Sequence, residues 1–397
     1  MAAILVRKFA RRLRRRRRLK FKAYRPRAYV VVPVKGVDEG LADCVASLLN
    51  QDYPDQSLWF VVESKSDAAH ALLEERLARC ADGRARLIVA GLAPPQRSQK
   101  LHNQIAALER IDRECSDDDV WVFADADAVP GPTWLCDMVG PLGDLKRIGV
   151  VTGYRWLVPV QAGASGLASS YASVLNGSAA SFLCLRRFTC AWGGAMALRA
   201  GTARRGGLID RFRRSLSDDY SVTRMCREMD MGIYFASWCL VASPVAMGFG
   251  EMLNFARRQC LITRVYAPRF YWASLATTGL YVMGSLTAAA CLLTAPWRVA
   301  GAAGWAVPAM FLVFVTTVDR VRAHHRASAV ATAFDDATVA RLRTALVLDR
   351  WFTPLWMICH FLVIASAAAG RNVRWRGVSY RMRRHDVIER LEAPAAD

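Results

Sequence analysis

The stretch that decides the fold is VWVFADADAVP, Val120 to Pro130, in which a short apolar run ends in two carboxylates, Asp125 and Asp127. We interpret Val120 to Ala124 as a buried strand that delivers an Asp-x-Asp pair to its C-terminal end. Carboxylate oxygens suit hard cations such as Mg²⁺ or Mn²⁺, which bind nucleotide diphosphates through one or two protein carboxylates and the phosphates themselves. The same pattern also caps helices and lines turns, so its interpretation depends on its neighbours.

Further strands are predicted on both sides of this one. Each is a short apolar run rich in β-branched residues: Ala28 to Val34, Leu58 to Val62, Arg86 to Ala90 and Ile148 to Thr152. A further strand is predicted over Ala191 to Leu198, AWGGAMAL. Helical spacing of apolar residues in Gly40 to Asn50 and in Ala69 to Cys80 places helices between the first three strands. Alternating strand and helix predicts an α/β domain with a mostly parallel sheet, in which ligands bind beyond the carboxyl ends of the strands. Asp125 therefore lies where a ligand is expected.

Three segments in the C-terminal third contain no charged residue: Phe270 to Trp297, Val299 to Val318 and Trp351 to Gly370. Each reaches the roughly 20 apolar residues that cross a bilayer. A fourth uncharged run, Trp156 to Leu185, is rich in Gly, Ser and Ala, and we expect it in the soluble domain or at the membrane surface. Three crossings would separate the N-terminal domain from the C-terminal tail, although arginines flank both, so we predict two or three spans.

The formal net charge of +20 arises from 54 Lys and Arg against 34 Asp and Glu, with arginines concentrated in Arg7 to Arg27, including the run Arg14 to Arg18, and in Arg371 to Arg384. Arginines beside apolar spans attract anionic lipid headgroups, by about 1 kcal/mol per residue. Nucleic acid is the rival partner for a basic tail. Because the charge surrounds the predicted spans, we expect an anionic membrane surface and no nucleic acid.

The start of the sequence and its cysteines predict a cytosolic location for the soluble domain. A few apolar residues, Ala2 to Val6, are followed at once by arginine, which reverses the order of a secretory signal. The 11 cysteines form no C-x-x-C pair and their number is odd, which favours reduced thiols over disulfides or a zinc site. The Ala- and Arg-rich composition is typical of a GC-rich bacterial genome, so we expect a multi-pass protein of a bacterial inner membrane.

Three further positions carry candidate chemistry. Glu63 ends the second strand and could accept a hydrogen bond from a base or ribose, although this segment also has the residues of a helix cap. Lys100 follows the third strand and could meet a diphosphate as a point charge, or be solvated. Asp218 and Asp219, in LSDDY, open a predicted helix, where a carboxylate could take the proton of an attacking hydroxyl or simply cap the helix.

Taken together, the motifs resemble a known family. They are VVPVKG (Val31 to Gly36), VESKSD (Val62 to Asp67), SQKLHN (Ser98 to Asn103), FADADA (Phe123 to Ala128), TGYRW (Thr152 to Trp156), WGGAMAL (Trp192 to Leu198), SDDY (Ser217 to Tyr220), RRQ (Arg257 to Gln259) and WRGVSYR (Trp375 to Arg381). In this order they resemble the inverting glycosyltransferases of the type A fold, and more closely the ceramide glucosyltransferase branch. The resemblance covers nearly all of Ala28 to Arg381.

The resemblance implies roles for four acids. Glu63 belongs to the nucleotide-binding cluster, Asp125 is the central metal-associated acid with Asp127 beside it, and Asp219 is the catalytic base. The implied cofactor is Mg²⁺ or Mn²⁺.

The donor diphosphate site departs from the family pattern. That branch has a glutamine or arginine followed by Arg-Trp, and here Leu261 and Ile262 replace the pair. Arg258, Gln259 and Arg264 then join Glu63, Lys100 and Asp125 as the candidate nucleotide-sugar contacts.

These interpretations predict the following organisation: a basic tail (1–27), a cytosolic glycosyltransferase domain (28–250), an amphipathic interfacial helix (251–269), a membrane region (270–370) and a second basic tail (371–397). The implied reaction moves a hexose from a UDP-sugar to the hydroxyl of a membrane lipid, with ceramide or a related sphingolipid favoured. Alternatives are another lipid alcohol such as a hopanoid or diacylglycerol, a processive polysaccharide synthase, and a non-catalytic relic that binds nucleotide or lipid.

Overall fold

The computed structural model describes residues 2–15, 24–78, 83–185, 188–294, 302–375 and 377–391. The chain divides into two compact units. We call the unit of Arg15–Leu157, Phe182–Val245 and Arg371–Asp397 the sheet unit, and that of Met1–Arg14, Val158–Ser181 and Ala246–Gly370 the helical unit. Most of the arginine run Arg14 to Arg18, and the facing ends of the first two predicted spans, lie outside the described residues.

The strands and helices alternate along the first half of the chain as predicted. The strands are β1 (Ala28–Pro33), β2 (Gln56–Val62), β3 (Ala85–Val89), β4 (Val120–Ala124), β5 (Ile148–Pro159), β6 (Ala195–Arg199), β7 (Gly232–Val245), β8 (Asn372–Trp375), β9 (Val378–Arg384) and β10 (Val387–Leu391). The helices are α1 (Ala2–Arg15), α2 (Leu41–Leu49), α3 (Ala68–Ala78), α4 (Gln99–Ile111), α5 (Trp134–Asp144), α6 (Gly163–Phe182), α7 (Ala200–Arg205), α8 (Leu208–Phe212), α9 (Asp218–Glu228), α10 (Phe249–Tyr266), α11 (Pro268–Thr294), α12 (Ala302–Ala333), α13 (Asp336–Arg341), α14 (Arg343–Trp351) and α15 (Thr353–Ser366).

The described part of the sheet unit is built on a seven-stranded sheet with the order β3-β2-β1-β4-β6-β5-β7. Strand β1 pairs in parallel with β2 and β4, and β2 pairs in parallel with β3, whereas β6 runs antiparallel to β4 and β5. The predicted mixed, mostly parallel α/β sheet is confirmed.

The central strands are apolar throughout because both faces of the sheet are covered. In β1, Val30 and Val32 enter one hydrophobic core with Phe60, while Tyr29 and Val31 enter a second core on the other face. The sheet therefore forms a rigid base, and its carboxyl edge carries the polar residues.

Two strands differ from their predicted bounds. Strand β5 continues seven residues past Thr152, to Pro159. The strand predicted over Ala191 to Leu198 begins only at Ala195, because Trp192, Gly193 and Gly194 form a turn that is closed by a hydrogen bond from Ala195 N to Trp192 O.

The C-terminal segment is folded where the structure describes it. Strands β8, β9 and β10 form an antiparallel three-stranded sheet, which belongs to the sheet unit. This tail sheet contacts the loop before α4, since Arg390 N donates to Pro95 O at 2.7 Å and the Tyr380 hydroxyl accepts a hydrogen bond from Gln99 N at 3.2 Å.

The helical unit contains the predicted membrane segments. In the described part of the chain, two helices are long and apolar enough to cross a membrane, namely Pro268–Thr294 and Gly304–Ala333, judged by length and composition. The number rises to three if α14 and α15, which meet at a bend of 93°, are taken as one span. Helix α6, in the uncharged run Trp156 to Leu185, also lies mainly in this unit.

Buried charges join several helices of this unit. Asp349 of α14 is 1% exposed, and its Oδ1 atom accepts hydrogen bonds from Arg322 at 2.6 Å and from Arg326 at 2.9 Å. Arg326 also donates to Ser178 of α6, and Arg322 donates to Thr353 at the start of α15. The Asp349 carboxylate and its two arginines thus connect α12 with α14, with α6 and with the bend.

Replacing Asp349 with Ala should cost about 3–5 kcal/mol of stability, because the buried Arg322 and Arg326 would lose the carboxylate that they share. The measurement is thermal unfolding of the detergent-solubilised protein. Asp336→Ala, which removes an exposed carboxylate of the same unit, should change the unfolding temperature little. Equal effects of the two substitutions would contradict this account of the cluster.

Candidate active site

The acidic residues follow strands whose carboxyl ends lie at one edge of the sheet. Glu63 comes directly after β2, and Asp125 comes directly after β4. Strand β1 lies between these two and is parallel to both. Since neighbouring strands are about 4.8 Å apart, Glu63 and Asp125 emerge from strands roughly 10 Å apart at the same edge.

Lys100 joins two acids from distant parts of the sequence. Its ammonium nitrogen lies 2.8 Å from Asp125 Oδ1 and 2.9 Å from Asp218 Oδ2. Burial by itself would lower the pKa of Lys100, but the two carboxylates outweigh it, so the net shift is upward. Lys100 is therefore a permanent cation between the end of β4 and the start of α9.

The two acids of the SDDY motif have different surroundings. Asp218 is 5% exposed, and its Oδ2 atom accepts a second hydrogen bond, from Gln104 of α4 at 2.9 Å. Asp219 is half-buried. Within the described residues, its hydrogen bonds come from the Ser217 hydroxyl and from Tyr220 N, and both reach Oδ1. The second oxygen of Asp219 is left for another group.

The surroundings of Asp219 raise its pKa. Burial, followed by the negative charge of Asp218, raises its pKa from 3.8 to about 6, although the Ser217 hydroxyl and the Lys100 charge act in the opposite direction. A carboxylate with a pKa near the working pH accepts a proton more readily than an ordinary aspartate.

The remaining predicted acids are paired with basic residues. Glu63 accepts a hydrogen bond from Lys35, two residues past the end of β1, at 2.6 Å. Asp127 Oδ2 lies 3.6 Å from a guanidinium nitrogen of Arg155, on β5. The arginine also lies over the ring of Trp192, 5.7 Å from its centroid. Both acids thus face positive charge at the site.

The turn before β6 makes room for the acids. A Cβ atom at Gly193 would overlap the Asp218 carboxylate, and one at Gly194 would lie 2.5 Å from Asp125 Oδ2. Only glycine allows such a close approach of backbone and carboxylate. The WGG motif is therefore explained by the space that Asp125 and Asp218 occupy.

A divalent cation fits the acids at the end of β4. Among the described residues, no group of three or more His, Cys, Asp or Glu side chains could hold a metal ion by itself. Asp125 and Asp127 nevertheless offer two hard carboxylates, and Mg²⁺ in nucleotide sites is held by one or two carboxylates together with substrate phosphates. The oxygen donors present thus suit a cation that arrives with a diphosphate.

The three residues predicted from the RRQ segment lie on α10, in the helical unit. Arg264 donates to the carbonyl oxygens of Ala368 and Gly370, just after α15. The Arg258 guanidinium lies over the Phe255 ring, 5.6 Å from its centroid, and Gln259 is exposed. Their roles at the donor stay predictions.

Sequence reasoning missed several residues of the site. Lys35, Gln104, Arg155 and the Gly193-Gly194 turn were not assigned a role. Lys35 and Arg155 lie in the quoted motifs VVPVKG and TGYRW, and a basic residue two positions past a strand end could have drawn attention to Lys35. No pattern along the chain signals Gln104, because its contact with Asp218 joins residues 114 positions apart.

The mixed, mostly parallel sheet is that of the type A glycosyltransferase fold, and the acids and the lysine lie at its carboxyl edge, where such sheets bind ligands. The chain belongs to glycosyl transferase family 21, the ceramide glucosyltransferase family, whose family model matches residues 1–388. A comparison with curated protein sequences gave no match.

Solved structures with a similar fold include other glycosyltransferases. The chain is similar to a mannosyltransferase from Pyrobaculum calidifontis in complex with GDP-Man and Mn²⁺ (TM-score 0.43, 16% identity, 92% of this chain and 94% of that one). It is also similar to glucosyl-3-phosphoglycerate synthase from Mycobacterium tuberculosis in complex with Mn²⁺, UDP and glucosyl-3-phosphoglycerate (TM-score 0.35, 15% identity, 59% and 77%). These scores are too low to transfer a substrate or a residue role.

Replacing Gly193 with Ala should displace the Asp218 carboxylate from Lys100. A misplacement of about 1 Å in a catalytic arrangement can reduce the rate on the order of 100-fold. Glycosyl transfer by the purified variant is the measurement, and Gly131→Ala is the matched control, because a Cβ atom there meets nothing within 4 Å. Full activity of Gly193→Ala would contradict the close approach.

Proposed function

We propose that this family 21 glycosyltransferase is a membrane enzyme that moves a hexose from a UDP-sugar to the hydroxyl group of a lipid, with ceramide or a related sphingolipid as the acceptor. The main support for this proposal is the ion bridge in which Lys100 contacts both Asp125 and Asp218. Asp219 lies beside this bridge, at the carboxyl edge of the sheet. This arrangement supports a site in which a charged donor and a proton-accepting carboxylate are close together.

Asp219 is the proposed base. In an inverting transfer the acceptor oxygen attacks the sugar carbon while a carboxylate takes its proton. The raised pKa of Asp219 supports this role. Its hydrogen bonds from Ser217 and Tyr220 support it too, because both reach Oδ1 and the other oxygen can accept a hydrogen bond from the hydroxyl of the acceptor. Asp218 contacts Lys100 and Gln104, and we propose that it orients Asp219.

The departing diphosphate needs positive charge. Lys100 supplies a fixed ammonium group, and its two carboxylate partners hold it at the carboxyl edge. Asp125 and Asp127 would hold Mg²⁺ or Mn²⁺, which when bound neutralises phosphate charge. Glu63 follows β2, which lies two strands from β4, and it is paired with Lys35. We assign it the contact to the nucleoside.

The position of the tail sheet supports an even number of membrane crossings. The tail sheet and strands β1 to β7 belong to one unit, so we propose that the chain between Val245 and Arg371 begins and ends on the same side of the membrane. We assign the two crossings to α11 and α12. Helix α15 has 14 residues, about 21 Å of helix, whereas the hydrocarbon core is about 30 Å thick, so the bent pair α14 and α15 enters without crossing.

We use the arginine-rich segments to propose which side of the membrane the sheet unit occupies. They favour the cytosol under the positive-inside rule and would contact anionic lipid at the surface of a bacterial inner membrane. The acceptor is then confined to the plane of the membrane that the enzyme occupies, and this proximity contributes to the rate.

Purified protein given a radiolabelled UDP-hexose, Mn²⁺ and ceramide in mixed micelles should form one discrete glycolipid, identified by mass spectrometry. Parallel reactions with diacylglycerol and a hopanoid alcohol separate the acceptors. A polymer, or glycolipid formed only from another alcohol, would overturn the sphingolipid assignment. No product with any donor and acceptor, despite UDP binding, would indicate a non-catalytic protein.

Replacing Asp219 with Asn should reduce transfer by at least about 100-fold, because the variant cannot accept the hydroxyl proton. UDP binding, measured by calorimetry, should remain close to that of the unmodified enzyme. Asp210→Asn, which neutralises an exposed acid on α8, is the control and should retain activity. Equal activity of the Asp219 variant and this control would exclude Asp219 as the base.

The pH profile tests the same assignment. Because Asp219 acts in its ionised form and its surroundings raise its pKa to about 6, kcat/KM should fall as the pH decreases through about 6. The Lys100 charge lowers this pKa, so Lys100→Met should move the acidic limb to higher pH, while Lys100→Arg should keep it near its original position. If the acidic limb lies at the same pH in the unmodified enzyme and in both Lys100 variants, the Lys100 charge does not affect the pKa of Asp219.

A further inference from the structure

The first turn of α4 carries Lys100 and is held from two sides. The first N–H groups of a helix have no partner within the helix and need one outside it. Ser98, the N-cap residue, accepts a hydrogen bond from Leu101 N with its hydroxyl oxygen. Gln99 N, one residue before Lys100, donates instead to the hydroxyl of Tyr380, which lies 281 positions further along the chain.

Tyr380 comes from the centre of the tail sheet and is fully buried. Strand β9, which carries it, pairs with β8 and β10 on either side. A second contact joins the same sheet to the loop before α4, since Arg390 N donates to Pro95 O. The tail sheet therefore contacts both the loop and the helix start.

Gln99 extends this contact into the sheet. Its side chain accepts a hydrogen bond from Ala93 N and donates to Gly91 O and to Asn103 Oδ1, at 2.8–2.9 Å. Asn103 in turn donates to Val61 O, near the end of β2 and two residues before Glu63. Both amide side chains are 1% exposed, so the network is shielded from water.

We propose that Tyr380 is a positioning residue of the active site, through which the tail sheet sets the start of α4 and so the place of Lys100 between Asp125 and Asp218. Ser98 strengthens the link, because its hydroxyl also donates to Leu216 O, two residues before Asp218. Tyr380 acts on the ammonium group through the helix turn and touches neither acid of the bridge. The proposal rests on the proposed function only in assigning Lys100 to the donor diphosphate.

The physical reason is the cost of an unpaired amide. Removing the Tyr380 hydroxyl leaves Gln99 N–H buried with no partner in this network, and a buried donor without a partner is strongly disfavoured. The turn must then shift to reach water or another acceptor. Because Lys100 is the next residue, its 2.8 and 2.9 Å contacts with the two acids depend on that turn.

The test compares Tyr380→Phe with Tyr29→Phe in the full chain. Both substitutions remove a buried hydroxyl from the sheet unit, but among the described residues the Tyr29 hydroxyl has no hydrogen-bond partner. We expect Tyr380→Phe to weaken UDP binding in the presence of Mn²⁺ by about tenfold, the effect of one lost hydrogen bond, and to raise the KM for the donor similarly. Tyr29→Phe should bind UDP like the unmodified protein.

Hydrogen exchange provides a readout that does not depend on the reaction. In Tyr380→Phe, backbone amides of the segment 91–104 should exchange faster, while those of β1 keep their protection. Unchanged exchange in that segment, or equal losses of UDP affinity in both variants, would overturn the positioning role. If the unmodified protein fails to bind UDP, the proposed function is wrong, and the exchange data alone then decide whether Tyr380 holds the helix start.

Discussion

The ion bridge from Lys100 to Asp125 and Asp218 is the interaction on which the site depends. It joins the end of β4, the first turn of α4 and the start of α9, three segments that only the folded sheet unit brings together. Burial lowers the pKa of a lysine and adjacent carboxylates raise it, while a cation between two acids offsets their repulsion. The bridge thus keeps the charges that the proposed donor site requires.

The rest of the sheet unit can be understood as support for this bridge. The apolar cores on both faces hold the strands, and the glycine turn before β6 leaves space for the two carboxylates. The raised pKa of Asp219 is a consequence of the same crowding, because burial and the neighbouring Asp218 both disfavour its charge. An enzyme can accept this destabilising arrangement where it assists catalysis.

The helical unit uses buried charge for a different purpose. Asp349 pairs with two arginines from α12, and the pairing connects the helices on both sides of the 93° bend. Such a cluster costs free energy to bury, but it specifies one arrangement of helices that apolar packing alone leaves open. Some of the arginines are therefore structural and balanced by acids, in addition to those that we assign to the membrane surface.

The alternation of strands and helices, the apolar segments and the family could be predicted from the sequence, because these depend on local periodicity and on motifs in a constant order. The sequence also singled out Asp125, Asp127, Glu63, Lys100 and Asp219, since each follows a strand or opens a helix. The pairing of Lys100 with Asp218, and the contact of the tail sheet with Gln99, became visible only in the folded chain. These contacts join residues more than 100 positions apart, and a pairing of that kind is set by how the strands and helices pack, which no pattern within a segment contains.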